Sequence, residues 1–420
     1  MSECEYINVD YTIDFIAYNS DKIKTKIYKS VKDIEYKILN YDDKVICDND
    51  KTNGVYRSIV GSYPENKLLC FSPPKSITLD FFKQENPVLD SHDIFVNEIV
   101  EGTMINLFYD HRINSWEIAS KGAIGGNYWF YRTQYSVFNS NATQPTFRQM
   151  FLDAFRVNNG KDVNDFVGFE DFPKDYCYNF VLQHPANHIV LNIESPIIYL
   201  VSVYHIREDK VVMIPPTIYE EWDCFLGIRG LLEFPKHFDE ETSYDDLTNK
   251  YCSANSPYNS VGLMITNLKT GDRACIENLT YKEVRELRGN NPNLQYQYLC
   301  LRRTGKVMDF LKYFPKYKAI FYRFYKQYEE FVSNVHQSYI SYYVKKNGIK
   351  ISKKYFPIIY KLHHDVFLPS ISSENKIIMR RSEISKRISE MAPTEIIYYL
   401  NYNKQESETE TEIRIKKFAE

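Results

Sequence analysis

Residues 97–110 read NEIVEGTMINLFYD, and residues 114–126 continue NSWEIASKGAIGG. TMINLFY and WEIAS are short runs of β-favouring residues, bounded by Gly, Asn and Asp. The stretch therefore reads as strand, tight turn and strand, with a second turn beyond. Glu101 and Gly102 precede the first of these strands, and Lys121 and Gly122 follow the second.

Outward from there the same texture holds over residues 61–280. IFVNEIV, YNFVLQH, HIVLNI, PIIYLVSVYHI and VGLMITN are further β-favouring runs with Gly, Asn, Pro or Asp at their ends. One helix is expected among them. Pro145 and Thr146 open it, and Phe147, Met150, Phe151, Ala154 and Phe155 fall on one face. After residue 281 the period changes. Tyr317, Ile320, Phe321, Phe324, Tyr328, Phe331 and Val335 form an apolar stripe at helical spacing, which predicts packing against other helices; Pro315 suits the first turn and Gly348 a stop. Further helices are expected over 352–368 and 381–400. The fold class is α+β, a β-rich domain followed by an all-α domain. Boundaries are expected at 1–60 for an N-terminal cap, 61–290 for the main domain and 291–402 for the helical domain. Residues 403–420 form a charged tail with too little apolar content to order itself.

Composition narrows the function classes. At 420 residues the chain is too long for one core. Its 52 basic and 55 acidic residues give a net charge of -3, so no global basic surplus announces a nucleic-acid binder, although a whole-chain sum hides local patches. Aromatics reach 15% through 36 Tyr and 26 Phe, a skew that fits an AT-rich coding sequence. The eight cysteines contain no Cys-x-x-Cys pair, which argues against a structural zinc site. The polar, acidic start lacks the form of a signal peptide, and no run of about 18 apolar residues is present, so neither secretion nor a membrane partner is expected. Host cytoplasm or a virion is the expected setting.

The ordered segments resemble RNA ligases of the covalent nucleotidyltransferase superfamily. In that family a Lys-x-Asp-Gly-Ser run leads through a strand to a Thr-Arg-Gly type segment. Here Ile99 stands at the lysine position, preceded by Glu98; Glu101, Gly102 and Thr103 match Asp-Gly-Ser, and Ser120, Lys121 and Gly122 match Thr-Arg-Gly. LLCFSPPKSITLDFF (68–82), which contains Lys75, resembles the segment preceding the lysine motif. YNFVLQHPANHIVL (178–191) resembles the third motif, with Val181 at its glutamate and His188 at its arginine. SVGLMITNLKTGDRACIEN (260–278) resembles the fourth and fifth, with Val261 at a glutamate and Cys275 and Glu277 at the Lys-x-Lys pair. The resemblance covers about residues 61–300. It implies a nucleotidyltransferase (ATP-grasp-like/ligase) β-rich domain ahead of the helical one.

The family's chemistry needs a lysine amine to attack the nucleotide α-phosphate. Ile99 offers no nucleophilic atom, and Val100 is equally inert. Valines at both glutamate positions and a carboxylate at Glu277 remove metal support and place negative charge where phosphate should lie. These substitutions point to a catalytically inactive ligase-like protein with an RNA-binding, nucleotide-binding or protein-scaffolding role, and no catalytic residue. The alternatives are an active ligase using a relocated lysine, Lys75 or Lys121, and a structural virion protein. Candidate nucleotide- or RNA-binding residues are Lys75, Glu98, Glu101, Gly102, Thr103, Lys121, Gly122, His188, Arg302 and Arg303, the last two forming a small basic cluster with Lys306. For Lys75 and Lys121 solvated surface charge is the competing account, and for Glu101 a turn carboxylate. No metal site is expected. ATP and Mg²⁺ enter only if activity is retained. RNA, a nucleotide or a protein are the expected partners, and DNA is not. His363, His364 and Asp365 read as helix surface, because neighbours on a helix diverge and no third ligand is spaced to join them. Trp116, Trp129 and Trp222 are expected in the core.

Overall fold

The structure is a computed structural model and describes residues 9–30, 32–89, 92–129, 144–157, 160–239, 243–289, 291, 293–346, 348, 350–372 and 376–402. The charged 403–420 segment lies outside the described residues. The chain divides into two compact units, Met1–Glu286 and Leu287–Glu420.

The first unit holds fifteen strands among its described residues. They are β1 (Asp10–Thr12), β2 (Ile23–Lys29), β3 (Glu35–Tyr41), β4 (Ile59–Ser62), β5 (Leu68–Cys70), β6 (Ile94–Glu98), β7 (Thr103–Asp110) and β8 (Ser115–Ser120). β9 (Ala123–Ile124), β10 (Tyr176–Gln183), β11 (Ile197–Arg207), β12 (Lys210–Ile214), β13 (Leu232–Glu233), β14 (Gly262–Asn267) and β15 (Arg273–Glu277) follow. The largest sheet runs β1-β12-β11-β10-β7-β8-β9, with β13 paired to β11; a second runs β2-β3-β4-β5, and a third β15-β14-β6.

Alternation along the strands sets what each face covers. In the large sheet Ile105, Leu107, Trp116, Ile118, Tyr178, Phe180 and Leu182 point into one core. The Phe147–Ala154 helix closes that core with Phe147, Met150, Phe151 and Ala154, and Thr146 caps it by accepting from the Gln149 amide. The opposite face, through Phe108, Ala119, Cys177 and Tyr204, packs on the β2–β5 sheet. Asp110, fully buried, joins these two sheets: it accepts from Tyr36 Oη at 2.9 Å and holds Arg112 bidentately at 3.1 and 2.9 Å. In the third sheet Ile94, Val96, Leu263, Ile265, Ala274 and Ile276 bury against the Leu79–Glu85 and Tyr244–Tyr251 helices.

The structure departs from the sequence reading in several places. Before residue 60, β1 joins the large sheet beside β12, and the expected boundary falls inside β4, which pairs with β3. The helix expected over 381–400 is two, Arg381–Glu390 and Pro393–Leu400, because Pro393 starts a new first turn. Trp116 is buried and Trp222 packs against the same core, whereas Trp129 is 38% exposed. The long helix of the second unit spans Lys318–Tyr339, with Pro315–Tyr317 as a 3₁₀ entry and Ile320, Phe321, Tyr328, Phe331 and Val335 buried. It ends before Gly348, through a π turn at Ile340–Val344.

Candidate functional site

Two sheet faces flank one segment in the first unit. In the β15-β14-β6 sheet the residues alternating with the buried set, namely Phe95, Asn97, Met264 and Cys275, are half-buried. In the large sheet Met104, Tyr199 and Ser202 are half-buried in the same way. Between these surfaces runs the segment 71–77. At one end the Phe71 carbonyl accepts from Asn179 Nδ2 at 2.9 Å; at the other, Ile77 pairs with Ala274 on β15. Electrostatics tie the walls together. Burial pushes the Tyr199 hydroxyl above its usual pKa, and Glu98 from β6 adds to the rise. Burial lowers the Arg273 pKa while Tyr204 of β11 opposes it. The large-sheet wall is preorganised by a buried chain in which Ser202 Oγ donates to Asn179, Asn179 to Asn106 and Asn106 to Ser72.

Ile99 lies where β6 ends, beside the start of β14. It directly follows β6, is half-buried, and its amide donates to the Gly262 carbonyl at 2.9 Å. Gly102 is exposed, and a Cβ there would lie 2.5 Å from the Leu182 carbonyl and 2.6 Å from Val181 Cγ1. Thr103 Oγ1 accepts from Asn187 Nδ2 at 2.8 Å. Glu98 accepts from the Lys236 amide at 3.0 Å.

Glu101 has a different task from the ligand contact considered for it. It is 7% exposed, and its carboxylate accepts from three successive amides, Ile189, Val190 and Leu191, at 2.9 to 3.3 Å. Tyr281 Oη donates to it at 2.7 Å. The Glu101 carbonyl also takes Gln183 Nε2 at 2.9 Å. Its oxygens are thus spent on holding the 188–191 segment and the Leu279–Arg288 helix to the turn that follows Ile99. His188 is half-buried at the start of that segment.

Lys121 lies over Tyr41, and Lys75 acts on it electrostatically. Lys121 Nζ lies 4.9 Å from the Tyr41 ring centroid. Burial raises the Tyr41 hydroxyl pKa, with Arg57, Lys75 and Arg273 all lowering it in return. Lys75 pairs with Asp48 and Lys121 with Asp43, both at 2.8 Å, and the aspartates are 77% and 67% exposed. Such pairs hold little. Gly122 leaves open space where a side chain would stand.

Sequence reasoning missed Arg57 and Arg273. Arg273 is two residues before Cys275 on β15 and shares its face, so strand alternation carries the signal once the strand is fixed. Its Nη1 donates to the Pro74 carbonyl at 3.3 Å, while Arg57 makes no ion pair among the described residues. Glu277, by contrast, is exposed and held by Lys282 at 2.7 Å, so its charge is locally balanced. Val181 and Val261 present no oxygen to a metal, and among the described residues no three His, Cys, Asp or Glu side chains gather.

Arg302 and Arg303 belong to the second unit. Arg302 lies 3.8 Å over the Tyr328 ring and 3.3 Å from Glu329, which also takes Arg381 at 2.7 Å. Arg303 is exposed at the end of its helix, Leu294–Arg303.

No family model matches the chain. It is 22% identical over 290 residues to an immediate-early protein ICP-46 homolog of Invertebrate iridescent virus 6, covering 65% of this chain and 59% of that protein. The chain thus spans less than two thirds of that relative's length. Among solved structures it is similar to an archaeal ATP-dependent RNA ligase, with 12% identity and a TM-score of 0.38 over 86% of this chain and 82% of that one. A putative ATP-dependent DNA ligase from Aquifex aeolicus gives 10%, 0.38, 84% and 76%, and a Naegleria gruberi RNA ligase mutant with ATP and Mn gives 12%, 0.32, 46% and 52%. At these scores the functional reading rests on the chain's own residues.

Proposed function

We propose that this chain is an RNA-ligase-like viral protein that binds a nucleotide or RNA phosphate in the intersheet cleft without forming a covalent nucleotidyl intermediate. One observation carries the reading. Arg57, Lys75 and Arg273 all act electrostatically on Tyr41, and Arg57 and Arg273 on Tyr204, in a unit where Ile99 stands at the position of the ligases' lysine. Cations gathered on a half-buried surface, where Lys75 is paired with an exposed aspartate, favour a bound anion. Isoleucine supplies no lone pair for attack on phosphorus. The host cytoplasm or the virion is the setting that goes with this role.

The test has two arms. Purified protein is incubated with α-labelled ATP or GTP and Mg²⁺ or Mn²⁺; no acid-labile protein adduct is expected, and an adduct abolished by Lys75→Ala or Lys121→Ala would establish the relocated-lysine enzyme instead. In parallel, calorimetric titration measures non-covalent affinity for ATP and a short RNA. Arg273→Ala is expected to weaken it about tenfold or more, the loss of one charge-assisted contact. Equal affinity in parent and variant would refute the cleft as the site.

A further inference from the structure

The second unit carries a surface that the cleft does not explain. The π turn at Ile340–Val344, closed by the Lys345 amide donating to the Ile340 carbonyl at 2.8 Å, brings Tyr342 and Tyr343 side by side. A second π turn, Leu362–Phe367, follows the Phe356–Lys361 helix and carries His363 and His364. Six rings then close into a loop. Tyr343 stacks on His363 at 3.7 Å between centroids and 12° between planes, and His363 meets His364 at 5.3 Å. His364 lies 4.1 Å from Tyr360, Tyr360 is 6.2 Å from Phe356, Phe356 is 5.7 Å from Tyr342, and Tyr342 is 4.8 Å from Tyr343. Phe356, Tyr360 and His364 are four residues apart in succession, which aligns them along one face.

This is no buried core. Tyr342 is 42%, Phe356 39% and Tyr360 48% exposed, and His364 is exposed as well. Rings that hold one another in place while leaving faces in solvent are preorganised for a flat partner. The charge around them selects it. Residues 340–376 contain seven lysines against two carboxylates, in a chain whose net charge is -3. Lys345, Lys346, Lys350 and Lys353 are exposed and have no carboxylate partner among the described residues. Aromatic faces interleaved with unpaired ammonium groups match bases spaced along a phosphate backbone, and a duplex would hide the base faces.

We propose that this aromatic loop is a stacking platform for single-stranded nucleic acid, with the neighbouring lysines on its phosphates. The site is separate from the intersheet cleft and does not depend on what that cleft binds.

The experiment uses the full chain and a fluorescein-labelled 20-nucleotide oligouridylate, read by anisotropy across a salt series. The double variant Tyr342→Ala/Tyr360→Ala is expected to lose about tenfold affinity per ring, whereas Tyr342→Phe/Tyr360→Phe, which keeps both rings, stays within threefold of the parent. Lys346→Ala/Lys353→Ala should lower the salt slope by about 0.7 per phosphate contact removed. On an Arg273→Ala background, which weakens binding in the cleft, the alanine pair should lower oligouridylate affinity by the same factor as in the parent. An oligothymidylate arm reports whether the 2′-hydroxyl contributes, and a duplex should bind at least tenfold more weakly. The proposal is overturned if the parent does not bind, if the alanine pair binds like the parent, or if duplex is preferred. It is equally overturned if the alanine pair has no effect on the Arg273→Ala background, or if the alanine pair instead dissolves a dimer of the chain. Circular dichroism of each variant confirms that lost affinity is not lost folding.

Discussion

Replacing Glu101 should unfold the first unit more readily than any change at the surface lysines. The carboxylate receives three amides and one phenol in a site that is 7% exposed. Glutamine keeps a single acceptor oxygen and turns the other position into a donor facing donors. At about 1–3 kcal/mol for each buried donor left without an acceptor, partly relieved by local shifts, Glu101→Gln should cost about 3 kcal/mol and Glu101→Ala about 4 kcal/mol. The three tryptophans, Trp116, Trp129 and Trp222, all lie in Met1–Glu286, so their fluorescence follows that unit alone. With a urea slope of about 3 kcal/mol per molar, the Glu101→Gln midpoint should fall by about 1 M. Amide exchange at residues 189–191 should accelerate at the same time. A midpoint within about 0.3 M of the parent, with unchanged exchange at those amides, would refute the reasoning. If ligand affinity fell at unchanged stability, the carboxylate would be a ligand contact after all.

Other consequences are equally accessible. Asp110 is held below the usual carboxylate range: burial acts to raise it, but hydrogen bonds from Arg112 and Tyr36 win. Its contribution is complete above the unfolded pKa of about 4 and disappears as pH falls through the lower folded value, so Asp110→Asn should flatten the acid limb of urea midpoints measured below about pH 4. Gly102→Ala should lower the melting temperature by several degrees, about 1–3 kcal/mol, because the new methyl meets the Leu182 carbonyl as well as Val181; adding Val181→Ala should not restore it. Ile99→Lys, assayed with labelled ATP and Mn²⁺, should yield no protein adduct, since the glutamate positions remain Val181 and Val261; an adduct would mean that one residue separates this chain from nucleotidyl transfer.

Much of the architecture could be read from residue order. The Thr146-capped helix follows from its apolar spacing, and the strands flanking Gly102 from their bounding turns. The change of period after residue 281 foretells the helical second unit. The 1–60 boundary misled because pairing between β3 and β4 is a contact between separate segments, which local pattern does not encode. Glu101 was legible as important but not as structural, since its donors come from 88 to 180 positions away. Arg273 went unread because the Lys-x-Lys comparison drew attention to Cys275 and Glu277. Alternation gave the right face, but Tyr204 and Tyr41 are needed to show that the face looks into a cleft. The aromatic loop was invisible for a related reason. Two wide helical turns put Tyr343 on His363, and helical periodicity at 3.6 residues does not anticipate π turns.

Asp43 and Asp48, the partners of Lys121 and Lys75, stand five residues apart in the loop between β3 and the Lys51–Gly54 helix. That loop keeps both ammonium groups occupied, and any phosphate engaging both lysines must displace it. The exchange is nearly free, at about 0–1 kcal/mol for each exposed pair, so it neither bars entry nor rewards one anion over another. If the proposed anion binds there, discrimination falls to Arg273, whose half-buried position makes a poorly fitting ligand costly.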